Sequence, residues 1–301
     1  MKKVSVTVPA STANLGAGFD CLALALGLRN TVELWEISAG LEIDVEGEGE
    51  GRVPLDSTNL IVRAAEQVFE KTGKRPTGLR VHAVNTIPLG SGMGSSATAV
   101  VGGLSAANTL VDGGLNRDEL LRLACKIEGH PDNAAAALFG SLVIVSFNAE
   151  ELLARSLKVP PFKVVVALPN IRLSIAELRA ALPEKVPVSD AVFNLGHALF
   201  TLQALTSGNE ELLRWAVADR LHQPYRKRFI PGYDSVVAEA RKAGAVAVAL
   251  SGAGPALVAF ASAKHTEIAD AMKAAFESNG LACRTFILPV DQQGVQIGRI
   301  G

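Results

Sequence analysis

Two long stretches of the chain carry no charged side chain, Asn85 to Val111 and Ala243 to Ala263. Length alone would let either cross a bilayer. Each is broken in its middle by glycines, however, at PLGSGMG and at SGAGP, and much of the remainder is Ala, Ser or Thr. Both therefore read as buried strand–loop–element units of a globular protein. The 301 residues include 28 glycines but only two Trp and two Tyr, which suits close approach of backbones and offers few stacking platforms.

That length suggests two domains and a sizeable core. Lys and Arg total 29, Asp and Glu 30, for a net charge of −1. This balance argues against a nucleic-acid binder with a basic face and against an anionic-membrane binder. Cys21, Cys125 and Cys283 are far apart and form no CxxC pair, so a reducing, cytoplasmic compartment is expected. The histidines form no HExxH and no Cys/His cluster, which leaves zinc without support. At the N-terminus, Val4, Val6 and Val8 alternate with Ser5 and Thr7 before Pro9. That is the period of a strand, not the apolar run of a secretion signal.

Period-2 alternation predicts strands at 4–8, 30–37, 41–46 and 79–84, with a helix before Gly73. Further helices are expected at 95–111 and after Asn116, a short helix entry in HPDNAAAALFG, and a strand in SLVIVSF. VPPF near 160 marks a linker. Beyond it come a buried strand, helices near 174–181, 189–207, 209–218 and 233–242, the strand–loop–strand AVAVALSGAGPALVAF, a helix over 264–279 and a strand ACRTFIL. The expectation is an α+β chain with two domains, 1–156 and 157–301.

The strongest chemical signal is Pro88-Leu89-Gly90-Ser91-Gly92-Met93-Gly94-Ser95-Ser96-Ala97-Thr98. Its glycines run straight into an apolar helix, whose N-terminus offers free N–H groups and the positive end of the helix dipole. Such a junction suits the phosphates of a nucleotide. It is neither a Walker loop, since no Lys is present, nor a Rossmann fingerprint, whose third glycine would come one residue later. The same glycines also suit a tight turn into a closely packed helix. Three other segments stand out: PASTANLGAGFD with Asn14 and Asp20, EGHPDN from Glu128 to Asn133, and Ser251 to Pro255. Taken singly, they read as a turn, a helix cap and a hairpin.

Together, and in this order, the four segments resemble the homoserine kinase branch of the GHMP kinase superfamily, over nearly the whole chain. The superfamily loop is P-x-x-x-G-L-G-S-S-A, with Met93 here in place of Leu. The resemblance implies an N-terminal domain like the second domain of ribosomal protein S5 and a ferredoxin-like C-terminal domain. It implies ATP across the 88–98 loop, with Asn59 and Ile61 near the purine. The implied reaction is phosphorylation of L-homoserine on the way to threonine, in a homodimer. Mevalonate kinase activity, or ligand sensing without catalysis, are the rival readings.

Within that resemblance, Ser96 and Glu128 are the candidates for Mg²⁺, which prefers oxygen ligands. Arg179 and Arg226 would take the substrate carboxylate, with Arg228 as the rival to Arg226. Asp20 or Asp132 would take the ammonium group, and Asn14, His130 and Gly252 would complete the pocket. Asn133 stands where some relatives carry a carboxylate, and an amide cannot accept a proton. Transition-state stabilisation without a general base is therefore expected, with Asp132 as base the alternative.

Overall fold

The computed structural model describes residues 2–148 and 151–300; the outer bounds of the two expected domains, Met1 and Gly301, lie outside them. The N-terminal half is built on β1 (Lys3–Ala13) and β2 (Leu22–Ile37). The segment expected to be a loop from Pro9 is strand as far as Ala13, beyond a register shift at Pro9/Ala10. From Val8 to Ala13 every residue is buried, so the alternation that marks a half-buried strand is lost there. β3 (Gly40–Gly47) and β4 (Gly78–Asn85) pair in parallel, and β4 pairs with the far end of β2. β5 (Leu142–Phe147) pairs with Leu22 to Leu24, and β6 (Leu152–Leu157) pairs with β5.

Helices α1 (Leu60–Thr72), α2 (Ser95–Leu110), α3 (Arg117–Glu128) and α4 (Asp132–Phe139) share one core with Val4, Val6 and Val8 of β1. α2 is buried on nearly every side, which accounts for the first charge-free stretch. Two glycines let its neighbours approach. A Cβ on Gly102 would lie 2.6 Å from the Val32 side chain, and one on Gly103 would lie 2.5 Å from the Ile61 carbonyl oxygen.

The C-terminal half holds β7 (Lys163–Pro169), α5 (Ile175–Ala180), α6 (Val188–Ser207), α7 (Glu210–Ala216), α8 (Gln223–Arg226) and α9 (Tyr233–Ala243). It continues with β8 (Ala247–Leu250), β9 (Leu257–Ala261), α10 (His265–Ser278) and β10 (Cys283–Pro289). The sheet order is β10–β7–β9–β8, a ferredoxin-like βαββαβ arrangement. Val165, Val248, Met272 and Phe276 pack on the helical side of this sheet. Val164, Val166, Ala247 and Val258 pack on the other side against Leu24, Ile87 and Met93 of the N-terminal half. Burial on both faces explains the second charge-free stretch. Finally, β11 (Gln296–Ile300) returns to pair with β1 in the N-terminal sheet. A division between residues 156 and 157 is what we propose, with β11 crossing back over it. No helix among the described residues is long and apolar enough to cross a membrane.

Gly103 makes the packing testable. Ala is the better helix former by about 1 kcal/mol. The contact with the Ile61 carbonyl nevertheless predicts that Gly103→Ala loses about 1–3 kcal/mol net, as overpacked core sites do. Urea unfolding measures this, and a variant more stable than its parent contradicts the packing described.

Candidate active site

Three glycine loops meet where the two halves touch. β1 ends at Ala13, and the chain turns through left-handed backbone at Asn14, Leu15 and Gly16. Main-chain hydrogen bonds join this turn to the other loops. Ser11 N–H donates to the Met93 carbonyl (3.0 Å), Gly252 N–H to the Ala13 carbonyl (3.1 Å) and Ala256 N–H to the Ser91 carbonyl (3.3 Å). The Ser251 hydroxyl touches the Gly92 carbonyl (2.8 Å) and the Thr12 hydroxyl (2.9 Å). These contacts leave no room for side chains. With φ at 79° and 73°, Gly92 and Gly94 adopt backbone that other residues avoid. A Cβ would come within 2.2 Å of the Ser251 carbonyl oxygen or of Ser11 Oγ respectively.

Beside this junction lies a cleft of about 510 Å³. Gly94 is the N-cap of α2, no side chain caps the helix, and its first turn contains no acid. The helix N-terminus therefore keeps both its free N–H groups and its positive dipole end for an anion. Gly90, Ser91, Gly92, Gly94, Ser95, Ser96 and Ala97 line the cleft. Pro88, Leu89, Met93 and Thr98 do not line it. The Pro88 carbonyl accepts the Ser91 hydroxyl, Met93 is buried in the core between the halves, and Thr98 Oγ1 accepts from Asn30. Leu89 is exposed. Asn59 and Ile61 do not line the cleft either, while Leu60 between them does. The Asn59 side chain caps α1 by accepting from Ile61 N–H and donates to the Pro54 carbonyl. Ile61 belongs to the N-terminal core.

The Ser96 hydroxyl donates to Glu128 at the end of α3. Burial pushes the Glu128 carboxyl up; the Ser96 hydrogen bond and His130 oppose this, and the Asp132 charge adds to it. His130 Nδ1 lies 2.8 Å from Asp132 Oδ1. Burial alone would lower the His130 imidazole, but the hydrogen bond and charge of Asp132, with Glu128, carry it upward. Asp132 is itself only 2% exposed, and its Oδ1 also accepts Asn133 N–H (2.8 Å). Ser11 Oγ donates to Asn133 Oδ1 (2.9 Å), which leaves the Asn133 NH₂ for the cleft it lines.

Arg179, Asp20 and Arg226 line the same cleft. Arg179 faces Asp20 through two contacts of 3.4 Å, long and partly exposed. Such a pair contributes little to stability and is easily exchanged for a ligand's charges. Asn14 donates to the Gly252 carbonyl (2.8 Å) and accepts from Asp20 N–H (2.9 Å), so it ties the loop after β1 to the β8–β9 turn as well as lining the cleft. Arg226 lines the cleft although it is only 2% exposed. Burial, then Arg179, push its guanidinium down from its ordinary value. Arg228 is not among the lining residues and lies against Phe229. Sequence reasoning missed Ser11, Asp219 and His222. Ser11 hides in the doubly buried end of β1, and the other two stand in a turn just before a helix of four residues.

The chain matches known proteins in sequence and fold. Residues 59–141 match the GHMP kinases N terminal domain, and residues 201–279 match the GHMP kinases C terminal domain. The homoserine kinase of Moorella thermoacetica is 44% identical over 279 residues, 92% of this chain and 94% of the relative. That of Carboxydothermus hydrogenoformans is 45% identical over 258 residues, 86% of this chain and 85% of the relative. The crystal structure of a homoserine kinase from Cytophaga hutchinsonii is 28% identical and superimposes with a TM-score of 0.90, covering 99% of this chain and 98% of that one.

The raised Glu128 carboxyl carries a prediction about stability. A carboxyl whose folded pKa is raised destabilises the fold once it is ionised, and the penalty fades as pH falls through that folded pKa. Glu128→Gln is therefore expected to melt at a higher temperature than the parent at pH 8. That advantage should shrink on acidification and vanish below the ordinary carboxylate range. An equal melting temperature at pH 8 would contradict it.

Proposed function

The chain belongs to the homoserine kinase family of the GHMP kinases, and from that premise we propose that it transfers the γ-phosphoryl group of ATP to the side-chain hydroxyl of L-homoserine. The product, O-phospho-L-homoserine, leads toward threonine. One observation carries the reading. A single cleft joins an uncapped helix N-terminus, suited to phosphates, to a pocket holding Arg179, Arg226 and Asp20, suited to a zwitterion.

Phosphoryl transfer needs positioning and charge neutralisation more than covalent help. The N–H groups of Ser95, Ser96 and Ala97 take phosphate oxygens, and the glycines of the loop let the nucleotide approach the main chain. Ser96 and Glu128 fit Mg²⁺: both offer oxygen, and the described hydrogen-bond partner of the Glu128 carboxylate is a neutral hydroxyl. Mg²⁺ bound there would neutralise triphosphate charge. Arg226 and Arg179 take the homoserine carboxylate. Asp20 takes the ammonium group, since Asp132 is already engaged by His130 and Asn133. The Asn133 NH₂, oriented by Ser11, donates toward the reacting oxygens, and the hydroxyl proton leaves to phosphate or solvent.

The apolar face of α6 supports a homodimer. Val188, Val192, Leu195 and Leu199 recur at helical spacing and are exposed. Three free cysteines suit the cytoplasm.

A coupled ADP-release assay with L-homoserine, L-threonine, L-serine and mevalonate tests the substrate, and turnover is expected with L-homoserine. Turnover on mevalonate but not on L-homoserine would overturn the assignment. For the proton, the limiting rate of Asp132→Asn in a pH–rate profile is expected to fall less than about tenfold. Loss of a general base costs about 10²–10⁴-fold, and a fall of that size would make Asp132 the base. Sedimentation of Leu195→Glu should give a monomer from a dimeric parent; a monomeric parent removes the α6 interface.

A further inference from the structure

We propose that His222 is a positioning residue that locks the Arg226 guanidinium for the substrate carboxylate; this rests on the reading of Arg226 given above. His222 is fully buried at the start of α8. Its Nε2 lies 2.9 Å from the Gly16 carbonyl, and Arg226 Nη1 lies 3.3 Å from the His222 ring at Nδ1. A carbonyl can only accept, so Nε2 carries the proton. Nδ1 then keeps its lone pair, which accepts from the guanidinium. One neutral tautomer satisfies both contacts.

A protonated ring would set an N–H and a positive charge against another N–H and another positive charge. The charged groups around it are Asp219 in the same turn, with Oδ2 3.5 Å from Nε2, Arg226 on the same helix, and Asp20 on the opposing loop. Burial lowers the imidazole first; Asp219 opposes this, and Arg226 adds to it. Asp219 has other work: its oxygens accept from the Asn194 side chain and from the N–H groups of Leu221, His222 and Gln223. That network fixes the turn from which His222 projects.

Two other contacts restrain Arg226. Its Nε–H reaches the Leu178 carbonyl at 3.4 Å, and its Cζ lies 5.1 Å from the centroid of the Phe19 ring. Phe19 also stacks on His222, at 5.2 Å between ring centroids. The His222 contact, with the bond to the Leu178 carbonyl, sets the guanidinium plane and leaves the other N–H groups for the cleft. Through Gly16, the same ring holds the loop that carries Asn14 and Asp20. One buried imidazole thus couples the cation and the anion that grip opposite ends of a zwitterion.

The test is a double-mutant cycle on steady-state kinetics, with melting temperatures recorded alongside. His222→Gln keeps a donor for Gly16 but loses the acceptor at the Nδ1 position; His222→Asn keeps the acceptor there. His222→Gln is expected to raise KM for L-homoserine at least tenfold and to leave KM for ATP within twofold. His222→Asn should recover most of that loss. In an Arg226→Gln background, adding His222→Gln should change KM for L-homoserine less than twofold. An unchanged KM in His222→Gln overturns the proposal, as does the same multiplicative loss with and without Arg226. A general loss of kcat and both KM values in both His222 variants also overturns it, by making the role merely structural. If Arg226→Gln itself leaves KM for L-homoserine unchanged, it is the reading of Arg226 that fails.

Discussion

Everything in the cleft depends on three glycine loops being hydrogen-bonded to one another through their main chains. The bonds from Ser11 to Met93, from Gly252 to Ala13 and from Ala256 to Ser91 bring the end of β1, the entry to α2 and the β8–β9 turn to one point. Buried N–H and carbonyl groups must find partners, and here each loop supplies them for the next. Removing side chains at Gly92 and Gly94 is what makes the approach possible. The same lack of side chains leaves the helix end open. Packing between the halves and anion binding therefore share one cause.

The electrostatics follow from that geometry. A chain of net charge −1 cannot attract ATP by overall potential. Positive potential is local instead, from the end of α2 and from two arginines, one of them almost wholly buried. Stability is spent to keep it there. Burial raises the Glu128 carboxyl, and Arg226 is buried with an imidazole and a carbonyl as its hydrogen-bond partners. Buried groups of this kind cluster at functional sites, where a ligand's charges add to the balance.

Much of this was legible in the sequence, because glycine spacing, an apolar helix and short polar clusters are local signals. The loop from Gly90 to Ala97 and the segments around Asn14, Asp20, Glu128 to Asn133 and Gly252 all converge on one cleft. What escaped reading depends on tertiary contacts. β6 has a single buried residue and lacks an apolar alternation, and β11 exists only because it meets β1 from the other end of the chain. Ser11 looks like any strand serine until Asn133 is placed beside it. Asn59 has a role that is local: an Asn just before an apolar-periodic run is the N-cap pattern, and its side chain caps α1.

The central claim is that the uncapped end of α2 receives the nucleotide phosphates. Amide chemical shifts of the ¹⁵N-labelled protein, followed as a non-hydrolysable ATP analogue is added with Mg²⁺, test it most directly. The account predicts that Ser95, Ser96 and Ala97 show the largest saturable shifts, and that inorganic triphosphate alone moves the same three. Saturable nucleotide binding that leaves those amides unmoved would contradict it.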